Sequence, residues 1–321
     1  MGRAMQLMQG WTPEHRQNYG REILRFDNRL AETGLFTDEA LARLFDEHPR
    51  EDVDICTMQR NPPPDQTWIA GDASKLSGAE IVEAVRKGAL WASARMAMVK
   101  HPRYRVVLDR MFEEFSKPIG QKIYSVSASV LVSGPQMGIF FHVDPAETML
   151  WHVRGTKTLY VYPATDEGLP EQALEAILLK ECLSDAPYRA EMEAVVTPVH
   201  LEAGQSVAWP LHGPHRVLNG PDLNVSVSCE YSTLRSLLTN GVFYANGRLR
   251  RATGLQPRSR RTPLAVAPAY WAAAKALKVL APPKHNVEAA HPRQFDVDLS
   301  APDCIRWREG YGPDADVKAA A

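Results

Sequence analysis

Residues 123–132, Ile-Tyr-Ser-Val-Ser-Ala-Ser-Val-Leu-Val, alternate between apolar and small polar side chains. Successive side chains of a β-strand point to opposite sides of the sheet, so a period of two predicts a strand here. Tyr124 and the following valines and alanine share one face, and Ser125, Ser127 and Ser129 share the other. We therefore expect a sheet that is apolar on one side at this point of the chain.

The chain downstream continues this pattern with short strands and turns. Strand-like runs are predicted at 139–143, 149–153, 157–162, 195–201, 206–210 and 223–231. One helical insertion, 169–183, interrupts them. Many short strands without a regular strand–helix alternation favour a sandwich or barrel over a parallel doubly wound sheet.

The two flanks of this strand-rich part differ from it. Apolar residues recur at roughly helical spacing over 13–50 and 78–96, which predicts helices there. After the strands come a basic stretch, Arg248–Arg261, a predicted helix over 268–280 and a Pro-, Asp- and Ala-rich tail that we expect to extend over the surface. The predicted organisation has three parts: a helical N-terminal region (1–120) packing on the barrel, a central barrel (121–235), and a C-terminal basic segment, helix and tail (236–321).

Composition excludes several classes of protein. The 321 residues are 45% hydrophobic and carry a formal net charge of −1, so no global field attracts nucleic acid or an anionic membrane. The four cysteines are scattered, which argues against a disulfide framework or a zinc ribbon. No apolar run is long enough for a membrane span, and the first residues do not form a signal peptide. We expect a cytoplasmic globular protein.

The first chemically informative motif is Phe-His142-Val-Asp144, at the end of a strand-like run. Residues two apart on a strand point to the same side, so His142 and Asp144 can reach one metal ion. Two histidines and one carboxylate are the ligand set of non-haem iron(II) oxygenases. His-x-Asp is a short motif, and the alternative is a surface turn in which Asp144 caps the segment before Pro145.

A third ligand is expected downstream. Gly-Gln-Ser-Val-Ala-Trp-Pro210 forms a turn and a strand, and Leu-His212-Gly-Pro-His215 follows it. Either His215 or His212 can supply the third ligand, and a substrate-side or metal-supporting role is also open to His212. His152 is predicted to be packed in the fold rather than a ligand, and His200 to be an ordinary strand residue.

These stretches, with Trp-His-Val-Arg-Gly-Thr-Lys157-Thr-Leu-Tyr-Val-Tyr-Pro between them, resemble the Jumonji-C-like, cupin-type 2-oxoglutarate oxygenases, including their asparaginyl hydroxylase branch. The resemblance covers about residues 120–232. It implies a mainly β fold, the double-stranded β-helix (a jelly-roll or cupin barrel), with helical additions at both ends. It also implies Fe(II), O2 and the cosubstrate 2-oxoglutarate. In the family the distal histidine stands five residues after a proline, as His215 does after Pro210.

The resemblance also implies a cosubstrate anchor. In the family a lysine after a glycine-containing hairpin binds the distal carboxylate of 2-oxoglutarate, and Lys157 stands there. An ammonium inside a barrel is costly unless an anion meets it, whereas the alternative is a lysine exposed to solvent. Further contacts to the cosubstrate or its mouth are expected from four residues: Tyr124, Ser129, Thr148 and Ser226. Glu230 departs from the family, which has a neutral amide there.

The substrate is not indicated, and a protein side chain and a small metabolite both stay open. The Arg248–Arg261 stretch suggests either a solvated loop or a site for an anionic partner. The helix after it is a candidate for homodimerisation. Two other functions compete with the oxygenase: a non-catalytic cupin-like ligand-binding protein, and a cupin metalloenzyme that does not use 2-oxoglutarate.

Overall fold

The computed structural model describes residues 5–182, 186–280 and 291–312. The helices are α1 Pro13–Asn18, α2 Asp38–Glu47, α3 Gly78–Lys87, α4 Ala97–Lys100, α5 Pro102–Ile119, α6 Glu171–Leu178, α7 Leu234–Thr253 and α8 Ala267–Leu280. The strands are β1 Met8–Gln9, β2 Leu24–Asn28, β3 Val53–Thr57, β4 Ile69–Asp72, β5 Trp91–Ala94, β6 Ile123–Ser133, β7 Gly138–His142, β8 Glu147–Arg154, β9 Thr156–Val161, β10 Thr197–Glu202, β11 Gln205–Ala208, β12 His215–Asn219, β13 Asn224–Thr233, β14 Phe295–Val297 and β15 Ile305–Trp307.

The strands form two sheets. The large sheet has the order β1-β2-β11-β8-β13-β6-β5-β3-β4-β14-β15, and the small sheet has the order β10-β9-β12-β7. The eight strands from β6 to β13 divide equally between the two sheets, and their pairs are antiparallel. The prediction of a mainly β fold with added helices is confirmed.

The two sheets pack face to face through aliphatic side chains. Leu150 and Val207 of the large sheet share a buried cluster with Leu159 and Val199 of the small sheet. Polar residues on the same inner faces, described below, line the rest of the space between the sheets. The outer face of the large sheet is apolar, because alternate residues of β13 and β8, such as Val227, belong to the main core.

Helix α5 covers that outer face. It begins with Pro102, which suits the first turn of a helix, and ends at Gly120, whose φ of 66° is the left-handed conformation that favours glycine. Its buried side chains recur at helical spacing, and Phe115 makes edge-on contact with Tyr231 of β13, with ring centroids 5.4 Å apart. Helix α5 thus covers the apolar outer face of the large sheet. The polar residues considered below lie on the inner face.

Two ranges of the N-terminal region that the sequence predicts to be helical contain strands in the structure. Residues 24–28 form β2, in which Leu24, Phe26 and Asn28 are buried and alternate with exposed residues, a period of two rather than 3.6. The helix predicted over 78–96 ends at Lys87, and β5 follows it within the same range. Both strands gain partners in the large sheet, so sheet pairing outweighs the local helical spacing.

The tail is also not simply extended over the surface. Within 291–312 the strands β14 and β15 continue the edge of the large sheet. Phe295 is fully buried against Gly71, where a Cβ atom would lie 2.2 Å from the phenylalanine ring. The pairing is therefore possible only because residue 71 lacks a side chain. The strand β12, between two proline- and glycine-containing segments, was not predicted either.

Candidate metal centre and cosubstrate site

The three predicted metal ligands lie together at the edge of the small sheet. His142 ends β7 and His215 begins β12, and the two residues are paired directly across the antiparallel ladder. His142 Nε2 lies 3.8 Å from Asp144 Oδ1, and His215 Nε2 lies 3.5 Å from Asp144 Oδ2. One ligand atom from each residue lies within 4.8 Å of the other two. Strand pairing thus brings together residues that are 73 positions apart in the chain.

Backbone carbonyls orient both imidazole rings. His142 Nδ1 lies 2.7 Å from the carbonyl oxygen of Phe140, and His215 Nδ1 lies 3.1 Å from that of Gly213. A carbonyl oxygen only accepts, so each Nδ1 carries the proton and donates it, and each Nε2 keeps its lone pair on the Asp144 side. Burial lowers the pKa of His215 to about 4, which keeps its ring neutral near pH 7.

This donor set fits a first-row divalent metal with open coordination positions. Two neutral imidazoles and one carboxylate are the ligands that non-haem iron(II) takes on one face. Ligand atoms at right angles, about 2.1 Å from a metal, stand roughly 3 Å apart. The observed separations of 3.5 and 3.8 Å are close to that value. Hydrogen bonds that fix the far nitrogen of each ring are the usual support of such ligands.

His212, the alternative ligand, lies apart from this group. Its Nε2 is 2.7 Å from Asn240 Oδ1 of α7, and its ring packs against Phe243 with centroids 5.7 Å apart. Burial lowers its pKa to about 4. His212 lines a cavity of about 370 Å³ that also borders Pro210. Among the described residues, the three-residue group that can hold a metal contains His215 and not His212.

Lys157 points into the space between the sheets. It lies on β9, opposite Asn219 of β12, and only 7% of its surface is exposed. Within the described part of the chain its ammonium makes no hydrogen bond or ion pair, and burial alone lowers its pKa from 10.5 to about 7. The alternative of a solvent-exposed hairpin lysine is wrong. A buried cation without a partner is the environment that an anionic ligand would relieve.

His152 and Ser226 form a second polar pair on the inner face, near Lys157. The His152 ring is fully buried, with Nε2 2.9 Å from the carbonyl oxygen of Gly155 and Nδ1 3.0 Å from Ser226 Oγ. Because the carbonyl requires a proton on Nε2, Nδ1 accepts the Ser226 hydroxyl proton. Burial and the Lys157 charge lower the pKa of His152 to about 3, so the ring stays neutral. The Ser226 oxygen keeps its lone pairs for a ligand.

The other predicted cosubstrate contacts differ in position. Ser129 faces inward and accepts the Met96 backbone N–H at 3.1 Å, which leaves its own proton to donate. Thr148 is buried, and its hydroxyl lies 3.3 Å from the carbonyl oxygen of Ala146. Tyr124 is not brought to this group, because it is 50% exposed and lies on the opposite face of β6 from Ser129.

Glu230 adds a carboxylate at the ligand end. It lies on β13 beside Thr148 of β8, and it is exposed to solvent. Desolvation by surrounding protein and, secondly, the negative charge of Asp144 raise its pKa to about 7. The position is visible in the sequence only as a departure from the family that the sequence resembles.

The basic stretch forms ion pairs within the chain. Arg250 Nε lies 2.9 Å from Glu175 Oε2 of α6, and Glu175 is fully buried. Arg251 pairs with Glu181, and Arg260 pairs with Asp166. Arg250 and Arg251 connect α7 to the helical insertion, and Arg260 connects the segment after α7 to the loop before that insertion. These three arginines are therefore not free for an anionic partner.

Helix α8 packs on α7 of the same chain. Gly241 permits a close approach of the two helices, because a Cβ atom there would lie 2.7 Å from Trp271 Cα. Homodimerisation through this helix stays a prediction. Over the described ranges, no helix combines the length and the apolar character that a membrane crossing requires.

Comparison with known proteins finds similarity only among solved structures. No family model and no curated protein matches the chain. A structure of Escherichia coli YcfD is 16% identical, with 98% of this chain and 80% of that chain covered and a TM-score of 0.47. A structure described as the ribosomal oxygenase YcfD in complex with cobalt and 2-oxoglutarate is 15% identical, with coverages of 97% and 78% and a TM-score of 0.46. Because both TM-scores are below 0.5, the function is inferred from the site geometry alone.

Proposed function

We propose that this chain is an iron(II)- and 2-oxoglutarate-dependent oxygenase that hydroxylates a C–H bond. The observation that carries the proposal is the combination of two groups within one fold. A His142, Asp144, His215 ligand set lies at the edge of the small sheet, and the buried, unpartnered Lys157 lies on the inner face of the same sheet. A metal site alone fits many enzymes, but a metal site with a buried cation fits a dicarboxylate cosubstrate.

The proposed fold around this site is a double-stranded β-helix formed by β6 to β13. Its support is the division of these eight strands into two four-stranded layers, β11-β8-β13-β6 and β10-β9-β12-β7. In such a barrel the inner faces hold the ligand, and here they carry Lys157, Ser226 and Ser129. An origin in the asparaginyl hydroxylase branch stays a prediction.

Each group of the chain has a distinct proposed task. His142, Asp144 and His215 would hold the metal. Lys157 would bind the distal carboxylate of 2-oxoglutarate, and hydroxyls such as that of Ser129 would complete the contact. Bound iron(II) would supply the chemistry by which O2 and 2-oxoglutarate give succinate, CO2 and a hydroxylated product. The protein's own contribution is to position the substrate and exclude water.

An anaerobic titration with Fe(II) and then 2-oxoglutarate tests the proposal. A weak visible charge-transfer band is expected for the wild-type chain and for Lys122→Ala, a control in an exposed lysine at the start of β6. The band should be lost in Lys157→Ala. A folded wild-type chain that binds Fe(II) without developing the band would refute the role of 2-oxoglutarate and favour a different cupin metalloenzyme.

The substrate is approached through turnover of the cosubstrate. Succinate formation is measured with peptides, nucleotides, small metabolites and lipids, with Asp144→Ala as the inactive control. A substrate should raise succinate formation in the wild-type chain only. A non-catalytic ligand-binding protein would give no succinate above the Asp144→Ala level with any member of the panel.

A further inference from the structure

A single asparagine of α7 contacts both segments that carry the metal ligands. Asn240 Nδ2 donates to the carbonyl oxygen of Pro145 at 2.6 Å, and Asn240 Oδ1 lies 2.7 Å from His212 Nε2. Pro145 directly follows Asp144, and His212 precedes His215 by three residues. The amide therefore joins two loops that are more than sixty residues apart in sequence, from a third part of the chain.

The chemistry of the three groups fixes the direction of both hydrogen bonds. The Pro145 carbonyl only accepts, so the Asn240 amide nitrogen must face it and the amide oxygen must face His212. The oxygen also only accepts, so His212 carries its proton on Nε2. Since burial keeps His212 neutral near pH 7, this arrangement stays the same over the physiological range.

An apolar contact one helical turn further on supports the same link. Phe243, three residues after Asn240, makes an edge-on contact with the His212 ring. Phe243 also belongs to a buried cluster with Val143, the residue between His142 and Asp144. Positions three apart lie on one face of a helix. One face of helix α7 therefore contacts both segments that carry metal ligands, the one around Asp144 and the one before His215. That face is polar at Asn240 and apolar at Phe243.

The backbone of His212 adopts an uncommon conformation. Its φ is 63°, in the left-handed region that non-glycine residues rarely occupy. Such conformations persist where the surroundings fix them. The hydrogen bond to Asn240 and the packing on Phe243 are the contacts that hold the ring of His212 in place.

We infer that Asn240 is a positioning residue of the metal centre, which sets the distance between the Asp144 and His215 segments without touching the metal. The inference rests on the proposed metal site and goes beyond it. It assigns α7, outside the predicted barrel, a part in the geometry of the ligands.

The test is a Co(II) titration of the full-length chain, followed by the visible d–d absorption of the bound ion. Asn240→Leu keeps the approximate volume and removes both hydrogen bonds. Because the loss of groups that orient metal ligands commonly costs 10- to 100-fold in affinity, a weakening of about that size is expected. The band position and intensity should also change, which a loss of overall stability alone would not cause. If the leucine variant does not fold, Asn240→Ser, too short to reach both partners, replaces it.

Asn246→Leu is the matched control. Asn246 lies on the same helix, is 1% exposed, and donates to Ser259 rather than to a ligand segment. Its substitution should lower stability but leave Co(II) affinity and the spectrum unchanged. Equal weakening in both leucine variants, or a wild-type spectrum and affinity in Asn240→Leu, would overturn the inference. A wild-type chain that binds no Co(II) would instead refute the proposed metal site.

A double-mutant cycle separates the link from independent effects. If Asn240 acts through His212, combining Asn240→Leu with His212→Leu should weaken Co(II) binding little more than the larger single effect. Fully additive losses would contradict the connection between the two residues.

Discussion

Two buried cations of this chain are in opposite situations. Arg250, whose side chain is 11% exposed, makes two hydrogen bonds to the carboxylate of Glu175, which is fully buried. Lys157, 7% exposed, has no anionic partner within the described residues, and burial depresses its pKa to about 7. The arginine belongs to a run that resembles a binding site in the sequence. The lysine is a single residue after a hairpin.

We infer that partnership, rather than charge density, distinguishes a structural cation such as Arg250 from the proposed binding cation Lys157. A paired buried ion has its electrostatic cost offset inside the fold. For an unpaired buried ion this cost is not offset until an anion binds. Such an ion therefore lowers the stability of the ligand-free protein.

Removing the paired cation should damage the fold. Arg250→Met leaves the Glu175 carboxylate buried without its principal partner, and breaking a buried pair typically costs about 3–5 kcal/mol. Denaturant unfolding should therefore show a lower free energy of unfolding by about that amount. The double variant with Glu175→Leu should recover much of the loss. Full stability in Arg250→Met alone would show that the pair has no structural importance.

Removing the unpaired cation, Lys157, should raise the stability of the ligand-free fold. Lys157→Met eliminates an ammonium that burial disfavours, so the midpoint of thermal unfolding without ligand should rise by several degrees.

The same change should weaken 2-oxoglutarate binding by at least about 100-fold, or roughly 2.7 kcal/mol, since a charge-assisted contact is lost. Scanning calorimetry without 2-oxoglutarate measures the unfolding midpoint, and titration calorimetry of the metal-loaded chain measures the affinity for 2-oxoglutarate. Unchanged cosubstrate affinity would remove Lys157 from the site.

The same lysine predicts a pH dependence. With a pKa of about 7 in the ligand-free chain, Lys157 loses its charge as the pH rises above 7. A bound dicarboxylate raises that pKa, so binding above pH 7 requires uptake of a proton. Affinity should be highest below pH 7 and fall by up to about tenfold per pH unit above it. Lys157→Arg, which stays charged, should lack this decline if it binds at all.

The smallest effect is expected at an exposed arginine of the basic stretch. The Arg258 side chain is exposed, unlike Arg250 in the same run. Arg258→Ala should change the free energy of unfolding by less than about 0.5 kcal/mol and leave cosubstrate binding intact. A larger loss of stability would mean that the run acts as a unit rather than through its paired members.

Period-two alternation and turn signals predict most of the strands from β6 to β13. Alternation also places Ser129 on the face of β6 opposite its apolar residues. Local spacing predicts a helix where β2 lies, because the pairing of β2 with β11 involves residues about 180 positions away. Local spacing carries no information on such a partner.

The members of the candidate metal site could also be predicted from the sequence, as most of the strands could. The sequence motif and the family resemblance identified His142, Asp144 and His215, which the fold brings within 4.8 Å of one another. The sequence did not reveal the role of Asn240, because a hydrogen bond from a helix to two distant loops leaves no periodic signal. Nor did it distinguish Arg250 from its exposed neighbours, since the acidic partner lies in a separate insertion.

A crystal structure of the full chain with Mn(II) and 2-oxoglutarate under anaerobic conditions would show whether both proposed ligands bind where we infer. We expect anomalous scattering from one metal ion bound by His142 Nε2, Asp144 and His215 Nε2. We also expect a carboxylate oxygen of the cosubstrate about 2.7–3.2 Å from Lys157 Nζ. A metal ion held through His212, or a bound cosubstrate that leaves Lys157 without a partner, would contradict the proposal.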